Sequence, residues 1–274
     1  MTARTYSLAQ LTALPYSPPQ MVQLAADSGC AACGIRLLPA SPGGVHHPIA
    51  AGSAALAETR ARIEATGVRV LDLEIIRIGA AFDPQAFGAF FEVGAALGAR
   101  HVLVAGDDPE PARLCARFAA LCDAAAPYGL TCDLEPMPWV PVASVADAAR
   151  IVDGAGRSNG GVLVDALHFF RSASTFDDLR RLPRARLHYA QICDGAVPGP
   201  ATTEGLIRDA RCERRLPGEG GFDLRALFAA LPADLPVSIE IPSDTRAPAM
   251  GYLAWARAAV AASRRVLEGG GAPV

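Results

Sequence analysis

The chain has 274 residues, 51% of them hydrophobic, and a formal net charge of −3. That apolar share supports one large core and excludes disorder over most of the length, while the slightly acidic balance excludes the basic footprint of a nucleic-acid binder. All 25 basic side chains are arginine, which rules out a Schiff-base lysine and a phosphate-loop lysine.

The N-terminus, Met-Thr-Ala-Arg-Thr-Tyr, lacks a basic region followed by an apolar one. Seven cysteines lie scattered among apolar residues and read as reduced thiols, so a cytoplasmic location is expected. Cys30-Ala-Ala-Cys33 has no second CxxC to complete a metal site and reads as small core residues. No stretch reaches the ~20 apolar residues of a membrane span. The expected partner is a small molecule, with no membrane, no nucleic acid, and a homodimer as the general expectation for a soluble enzyme.

Strand and helix signals alternate along the whole chain. Tyr6–Leu11 is a weak first strand, followed by a helix near Pro19–Ser28. Strands at Ala32–Leu37 and Val68–Ile76 flank a helix from Ser53 to Thr66, which Gly67 is placed to end. A helix over Pro84–Gly98, a strand at His101–Val104 and a helix over Glu110–Tyr128 come next. Four short apolar runs then end at Glu135, Asp165, Gln191 and Glu240, with helices near Val145–Asp153, Phe176–Leu182 and Leu224–Leu231 between them. Tyr252–Leu267 is a closing helix, and 268–274 a flexible tail. Eight strands rich in Val, Ile, Leu and Ala without strict alternation predict a parallel sheet buried on both faces. Length and alternation together point to an α/β fold, a single (β/α)8 TIM barrel over residues 1–267. A doubly wound sheet would usually carry a glycine-rich phosphate turn after its first strand, and Thr12–Pro19 has none.

The four polar strand ends carry the functional signal, because barrel enzymes place their sites at the C-terminal ends of strands. Glu135, Asp165, Gln191 and Glu240 offer at least five oxygen donors, and three of the groups are anionic. A divalent cation would relieve their mutual repulsion. Oxygen ligands favour Mg²⁺ or Mn²⁺, with Co²⁺ or Zn²⁺ less suited. His168 follows Asp165 by three residues, as a hydrogen-bonding group or a loop residue. His188 reads as an inward-packing side chain, and His46-His47 sits in a Gly/Pro-rich loop that is either a lid or plain surface. Arg36, Glu74 and Arg77 are charges set in apolar runs, and such charges are rarely buried unpaired. An Arg36–Glu74 ion pair is the favoured reading; the alternative has Arg36 or Arg77 holding a substrate carboxylate or phosphate. Arg214 offers a similar anion clamp, with Trp139 as an apolar wall and Asp194 as a hydrogen-bond partner in the pocket.

The order Glu135, Asp165-x-x-His168, Gln191, Glu240, followed by Leu216-Pro-Gly-Glu-Gly-Gly-Phe-Asp223, resembles the xylose-isomerase-like superfamily of sugar phosphate isomerases and epimerases. The third ligand, often histidine in the epimerases, is Gln191 here. The resemblance implies that Glu135, Asp165, Gln191 and Glu240 hold one divalent metal. It also implies that Glu135 and Glu240 move protons at a polyhydroxy ketone through a metal-stabilised enediolate, and that His168 contacts a substrate hydroxyl or carbonyl. A dehydratase of the inosose or 3-dehydroshikimate type would use the same groups and expel a β-hydroxyl. An endonuclease of the apurinic-site type would need a histidine-rich cluster and a basic groove, which five histidines and the net charge oppose. A barrel that only binds a ligand is the remaining alternative.

Overall fold

The computed structural model describes residues 4–269. Its strands are β1 (Tyr6–Leu8), β2 (Ala32–Arg36), β3 (Arg69–Ile78), β4 (His101–Gly106), β5 (Thr131–Glu135), β6 (Gly160–Val162), β7 (Val164–Asp165), β8 (Ala190–Ile192) and β9 (Val237–Ile239). They form one sheet in the order β6-β5-β4-β3-β2-β1-β9-β8-β7. β6 and β7 are halves of a single segment interrupted at Leu163, whose N–H still donates to Leu134 at 3.0 Å. Because that segment pairs with β5 on one side and β8 on the other, the parallel sheet closes on itself as an eight-position barrel.

Two apolar layers hold it together. The larger lies between the outward strand faces and the surrounding helices, with Leu73, Val102, Leu134, Phe118 and Trp255 fully buried. The smaller fills the barrel interior with Ala32, Leu71, Ile75, Leu103, Ala105, Leu163 and Tyr189. The helices start and stop where local chemistry dictates. Ser53 caps helix Ala54–Thr66 by accepting from Leu56 N–H, and Gly67 ends it at φ 71°. Ser144 and Asp147 form a capping box on helix Val145–Ala155.

Three differences from the sequence expectation stand out. The first strand stops at Leu8, and Gln10–Ala13 forms a 3₁₀ turn. That turn brings the Thr12 hydroxyl against β9, donating to the Ile239 carbonyl and accepting from Ile241 N–H, both at 2.9 Å. Second, a helix at Thr203–Cys212 fills a stretch for which the sequence pattern predicts no element. Third, Glu268 belongs to the last helix, Tyr252–Glu268, so the expected tail starts later; residues 270–274 lie outside the described residues. Cys30 and Cys33 are buried free thiols, as a core role requires; burial pushes Cys30 up to about 11 and Cys33 higher still. No helix among the described residues is long and apolar enough to cross a membrane.

The N-terminal floor of the barrel carries a polar cluster. Asp133 accepts from His188 Nδ1 and from the Thr131 hydroxyl, each at 2.6 Å, and His101 Nδ1 lies 2.7 Å from that hydroxyl. The two imidazoles stack 5.6 Å apart. Gly161 passes so close that a Cβ would overlap both Asp133 and His188. Asp72, paired in register with His101, is wholly buried with neither oxygen hydrogen-bonded. Burial first, then the charges of Glu74, Glu240 and Asp133, raise its carboxyl well above the usual range.

A carboxylate cluster at the barrel mouth

Register alone brings the four predicted strand ends together. Asp165 pairs with Gln191 across β7 and β8, and Glu240 N–H donates to Ile192 just beyond the β8–β9 ladder. Glu135 closes β5 beside the β6–β7 segment. Ligand-capable oxygens of Glu135, Asp165 and Glu240 all lie within 4.8 Å of one another. All four residues are at most 3% exposed. Glu240 is fixed from behind, since the Trp255 indole N–H donates to the Ile241 carbonyl at 2.9 Å, alongside the Thr12 contacts.

Among the described residues, the cation ion-paired with the cluster is Arg214. Its guanidinium lies 2.7 Å from Asp165 and 2.8 Å from Glu240, and its Nε donates to the Ala210 carbonyl. Arg214 was expected as an anion clamp from a surface loop; instead it is 3% exposed and committed to these two carboxylates. The turn inward follows from two antiparallel bridges, Asp194 with Arg215 and Glu213 with Ser243. They hold residues 213–215 extended, so the middle side chain faces opposite its neighbours.

One arginine against three carboxylates leaves the cluster short of positive charge. Glu135 Oε1 has no hydrogen-bond partner, nor has either side-chain atom of Gln191. Burial raises the Glu135 carboxyl well above its usual range, and the charges of Asp165 and Glu240 add to this. Burial likewise pushes Glu240 up to about 7, against the opposing pull of Arg214. Asp165 goes the other way. Burial works against its ionised form, but Arg214 and the His168 backbone N–H at 3.0 Å together hold it below its usual value. Orphaned oxygens, crowded carboxylates and a buried amide are the donor set of a hard divalent cation, so the residues fit such an ion.

A cavity of about 150 Å³ opens above the cluster. His168 and Trp139 line it, packed edge to face with ring centroids 5.1 Å apart. His168 Nε2 is 3.8 Å from Glu135, while His168 Nδ1 and the Trp139 indole nitrogen are buried without partners. Burial depresses His168 to about 4, so the ring is neutral near pH 7. Ser41, Gly44 and Val45 place the 41–51 loop over the cavity; His47 ties it down through the Leu14 carbonyl, while His46 bonds within the loop to the Gly44 carbonyl.

The remaining predicted residues divide. Arg36 lines the cavity but is paired with Glu74 at 2.5 Å across β2 and β3, as the favoured reading had it. Glu74 also accepts from Gln10 N–H and is absent from the cavity wall. Arg77 lines the cavity while forming a two-point contact, both arms at 2.6 Å, with Asp107, a partner not foreseen in the sequence. Asp194 must be reassigned: it accepts from the backbone N–H groups of Gly195, Gly218 and Phe222, and so organises the Pro-Gly-Glu-Gly loop rather than the pocket. The loop closes so tightly on Asp194 that only glycine fits at Gly220. His188, expected to pack inside the barrel or against a helix, serves the floor as the hydrogen-bond partner of Asp133. Arg211, on the helix at 203–212, is a cavity residue that sequence reasoning missed.

A barrel whose strand ends converge on a carboxylate cluster under a small cavity defines a class of α/β-barrel proteins. Residues 22–267 match the family described as xylose isomerase-like TIM barrel, and the chain belongs to that family. It is 32% identical over 113 residues to an inosose isomerase of Bacillus velezensis, and 27% identical over 139 residues to a 3-dehydroshikimate dehydratase of Pseudomonas aeruginosa. These matches cover 40% and 49% of this chain, but only 38% and 21% of those proteins. Among solved structures, the IOLI protein with a zinc atom superposes with a TM-score of 0.78 at 19% identity, covering 97% of this chain and 98% of that one. A D-allulose 3-epimerase from Methylomonas superposes at 0.68 with 17% identity, covering 96% of each chain.

Proposed function

We propose that this protein is an isomerase or epimerase of a small polyhydroxy ketone or aldehyde, and that it works with one divalent metal ion. The carrying observation is the buried cluster of Glu135, Asp165, Gln191 and Glu240, with orphaned donor atoms, beneath a cavity of small-molecule size. Glu135, Asp165, Gln191 and Glu240 would hold the ion. Oxygen donors favour Mn²⁺ or Mg²⁺, and the zinc of the IOLI structure keeps Zn²⁺ in view. When bound, such an ion acidifies the proton next to a substrate carbonyl and stabilises the negative charge that develops.

The chain's own residues then divide the work. Glu240, with a carboxyl that titrates near 7, suits a group that takes a proton and returns it. Glu135, raised by burial and crowding, is its counterpart from β5. Asp165, kept ionised by Arg214, is the fixed anion of the set. Neutral His168 donates a hydrogen bond to a substrate oxygen, and Trp139 walls off water.

The same neutrality supports the first of the two reactions. A dehydratase must protonate its leaving hydroxyl, and a histidine depressed to about 4 is a weak acid for that step near pH 7. Isomerisation needs only a hydrogen bond at that position, so it is the reading preferred over the dehydratase. The test is bound metal by elemental analysis for the wild type, Asp165→Ala and Glu240→Ala after incubation with Mn²⁺. About one equivalent, lost in both variants, supports the site; a wild type without metal sinks it. Turnover in D₂O then separates the chemistries: deuterium in a recovered sugar marks isomerase, an unsaturated product lyase.

A further inference from the structure

We propose that the substrate of this cavity carries its own negative charge, a carboxylate or a phosphate, and that Arg211 is the side chain that binds it. The inference rests on the reading above of the cavity as the substrate site.

Four arginines line the cavity: Arg36, Arg77, Arg211 and Arg214. Three of them are spoken for. Arg36 is bonded to Glu74, Arg77 to Asp107, and Arg214 to Asp165 and Glu240. Among the described residues Arg211 alone of the four has no hydrogen bond or ion pair, although its side chain is only partly exposed. Its charged surroundings are unfavourable. Partial burial, then the neighbouring guanidiniums of Arg77 and Arg36, push its pKa down, and the carboxylate that opposes them, Asp107, is already engaged by Arg77.

Arg36, Arg77 and Arg211 line the cavity against two paired carboxylates, Glu74 and Asp107, which leaves one positive charge over. In the carboxylate cluster the balance reverses: Glu135, Asp165 and Glu240 have a single ion-paired guanidinium among them, that of Arg214 on Asp165 and Glu240. The cavity is therefore bipolar. A molecule with an oxygen-rich reacting end and an anionic tail matches both ends, and a neutral polyol leaves Arg211 without a counter-ion. Leu11, Leu14 and Val45 share the cavity wall with Arg211. Apolar walls lower the local dielectric and strengthen the attraction for an anion. The planar guanidinium fork suits the two oxygens of a carboxylate or a phosphate. Arg211 sits in the last turn of a helix, on a rigid element rather than a loose loop.

The test compares gluconate with its uncharged counterpart glucitol by calorimetric titration, in Mn²⁺-loaded and in chelator-treated protein. Wild type is expected to prefer gluconate by roughly tenfold or more. Arg211→Met should abolish that preference while leaving the glucitol affinity and the bound metal unchanged, and Arg211→Lys should restore part of it. Equal affinities in the wild type, gluconate failing to bind at millimolar concentration, or a preference that survives in Arg211→Met would each overturn the proposal. Inorganic phosphate that displaces gluconate assigns the site to a phosphate group, and gluconate binding indifferent to phosphate assigns it to a carboxylate; both results support the anion. A wild type that holds no metal yet prefers gluconate removes the metal reading and leaves this one standing. Equal affinities beside a full metal site remove this one alone.

Discussion

Strand β5 carries two buried carboxylates on one face, Asp133 toward the barrel floor and Glu135 toward its mouth, and their fates differ. Asp133 is saturated by His188 and Thr131, whereas Glu135 keeps an oxygen with no partner. The β8 region repeats the contrast. His188 is bonded at the floor, and three residues on Gln191 is buried at the mouth with both amide atoms unpaired. A buried polar group left unsatisfied costs about 1–3 kcal/mol. Side chains that satisfy one another, as Asp133, Thr131 and His188 do, are therefore read as architecture. Glu135 and Gln191 instead keep unsatisfied atoms in the carboxylate cluster beneath a cavity; Asp72 is orphaned as well, but it does not line that cavity.

The comparison breaks most sharply at the mouth. Glu135→Gln removes a charge from a crowded cluster, so turnover of the isomerised substrate should fall on the order of a thousandfold. The thermal midpoint of the metal-free protein should hold or rise, because repulsion with Asp165 and Glu240 is relieved. A midpoint several degrees lower would mean that the mouth is as architectural as the floor. Arg214→Met tests the counter-charge. Without metal it leaves Asp165 and Glu240 buried and unpaired, at a cost of about 3–5 kcal/mol. Denaturant titrations with and without Mn²⁺ should show much of that loss recovered when the ion is present; no recovery would argue that nothing replaces the guanidinium.

At the floor the expected signs invert. Asp133→Ala breaks a satisfied network and strands His188, so stability should drop by about 3 kcal/mol, with metal content at the mouth unchanged. Loss of metal together with stability would show that the two ends are one unit. Gly161→Ala presses a methyl into Asp133 and His188 and should cost about 1–3 kcal/mol by overpacking, readable as a lower denaturation midpoint.

The mouth was more legible in the sequence than the floor, for a physical reason. Glu135, Asp165, Gln191 and Glu240 each end an apolar run, and a polar residue at that boundary announces a strand end. Asp133 and Asp72 interrupt their runs from within, where an inward and an outward side chain cannot be told apart without the register. The helix at 203–212 escaped because Thr-Glu-Gly-Leu-Ile-Arg-Asp-Ala-Arg-Cys carries few apolar residues and an internal glycine, and Arg211 escaped with it. Arg214 was visible as a charge, but its inward turn depends on bridges to segments far away in the chain. Asp194 looked like a pocket residue because it follows a strand end, yet the loop that encloses it is completed only by Gly218 and Phe222.

The response to pH separates the two ends by sign. His101 at the floor is depressed to about 4, by burial foremost and by the neighbouring charge of His188, with Asp133 opposing. Near pH 7 it is neutral in both the folded and the unfolded chain. Below about 6.5 the unfolded chain takes up a proton that the folded one refuses. Stability from this group is thus lost as pH falls from 6.5 to 4, by about 2 kcal/mol once partial exposure is allowed for. Glu240 at the mouth acts in reverse, because its carboxyl is raised to about 7. In metal-free protein its contribution is full below the unfolded value near 4.5 and disappears as pH rises through 7. The ionised form that then appears is the one a cation requires, so Mn²⁺ affinity should climb with pH up to about 7 and level off above it. Unfolding of metal-free wild type, His101→Gln and Glu240→Gln at pH 4.5, 6 and 7.5 resolves the two slopes. His101→Gln should be relatively stronger in acid, and Glu240→Gln relatively stronger above neutrality. Identical pH profiles for the wild type and both variants would show that neither end holds its charge in the way its burial implies.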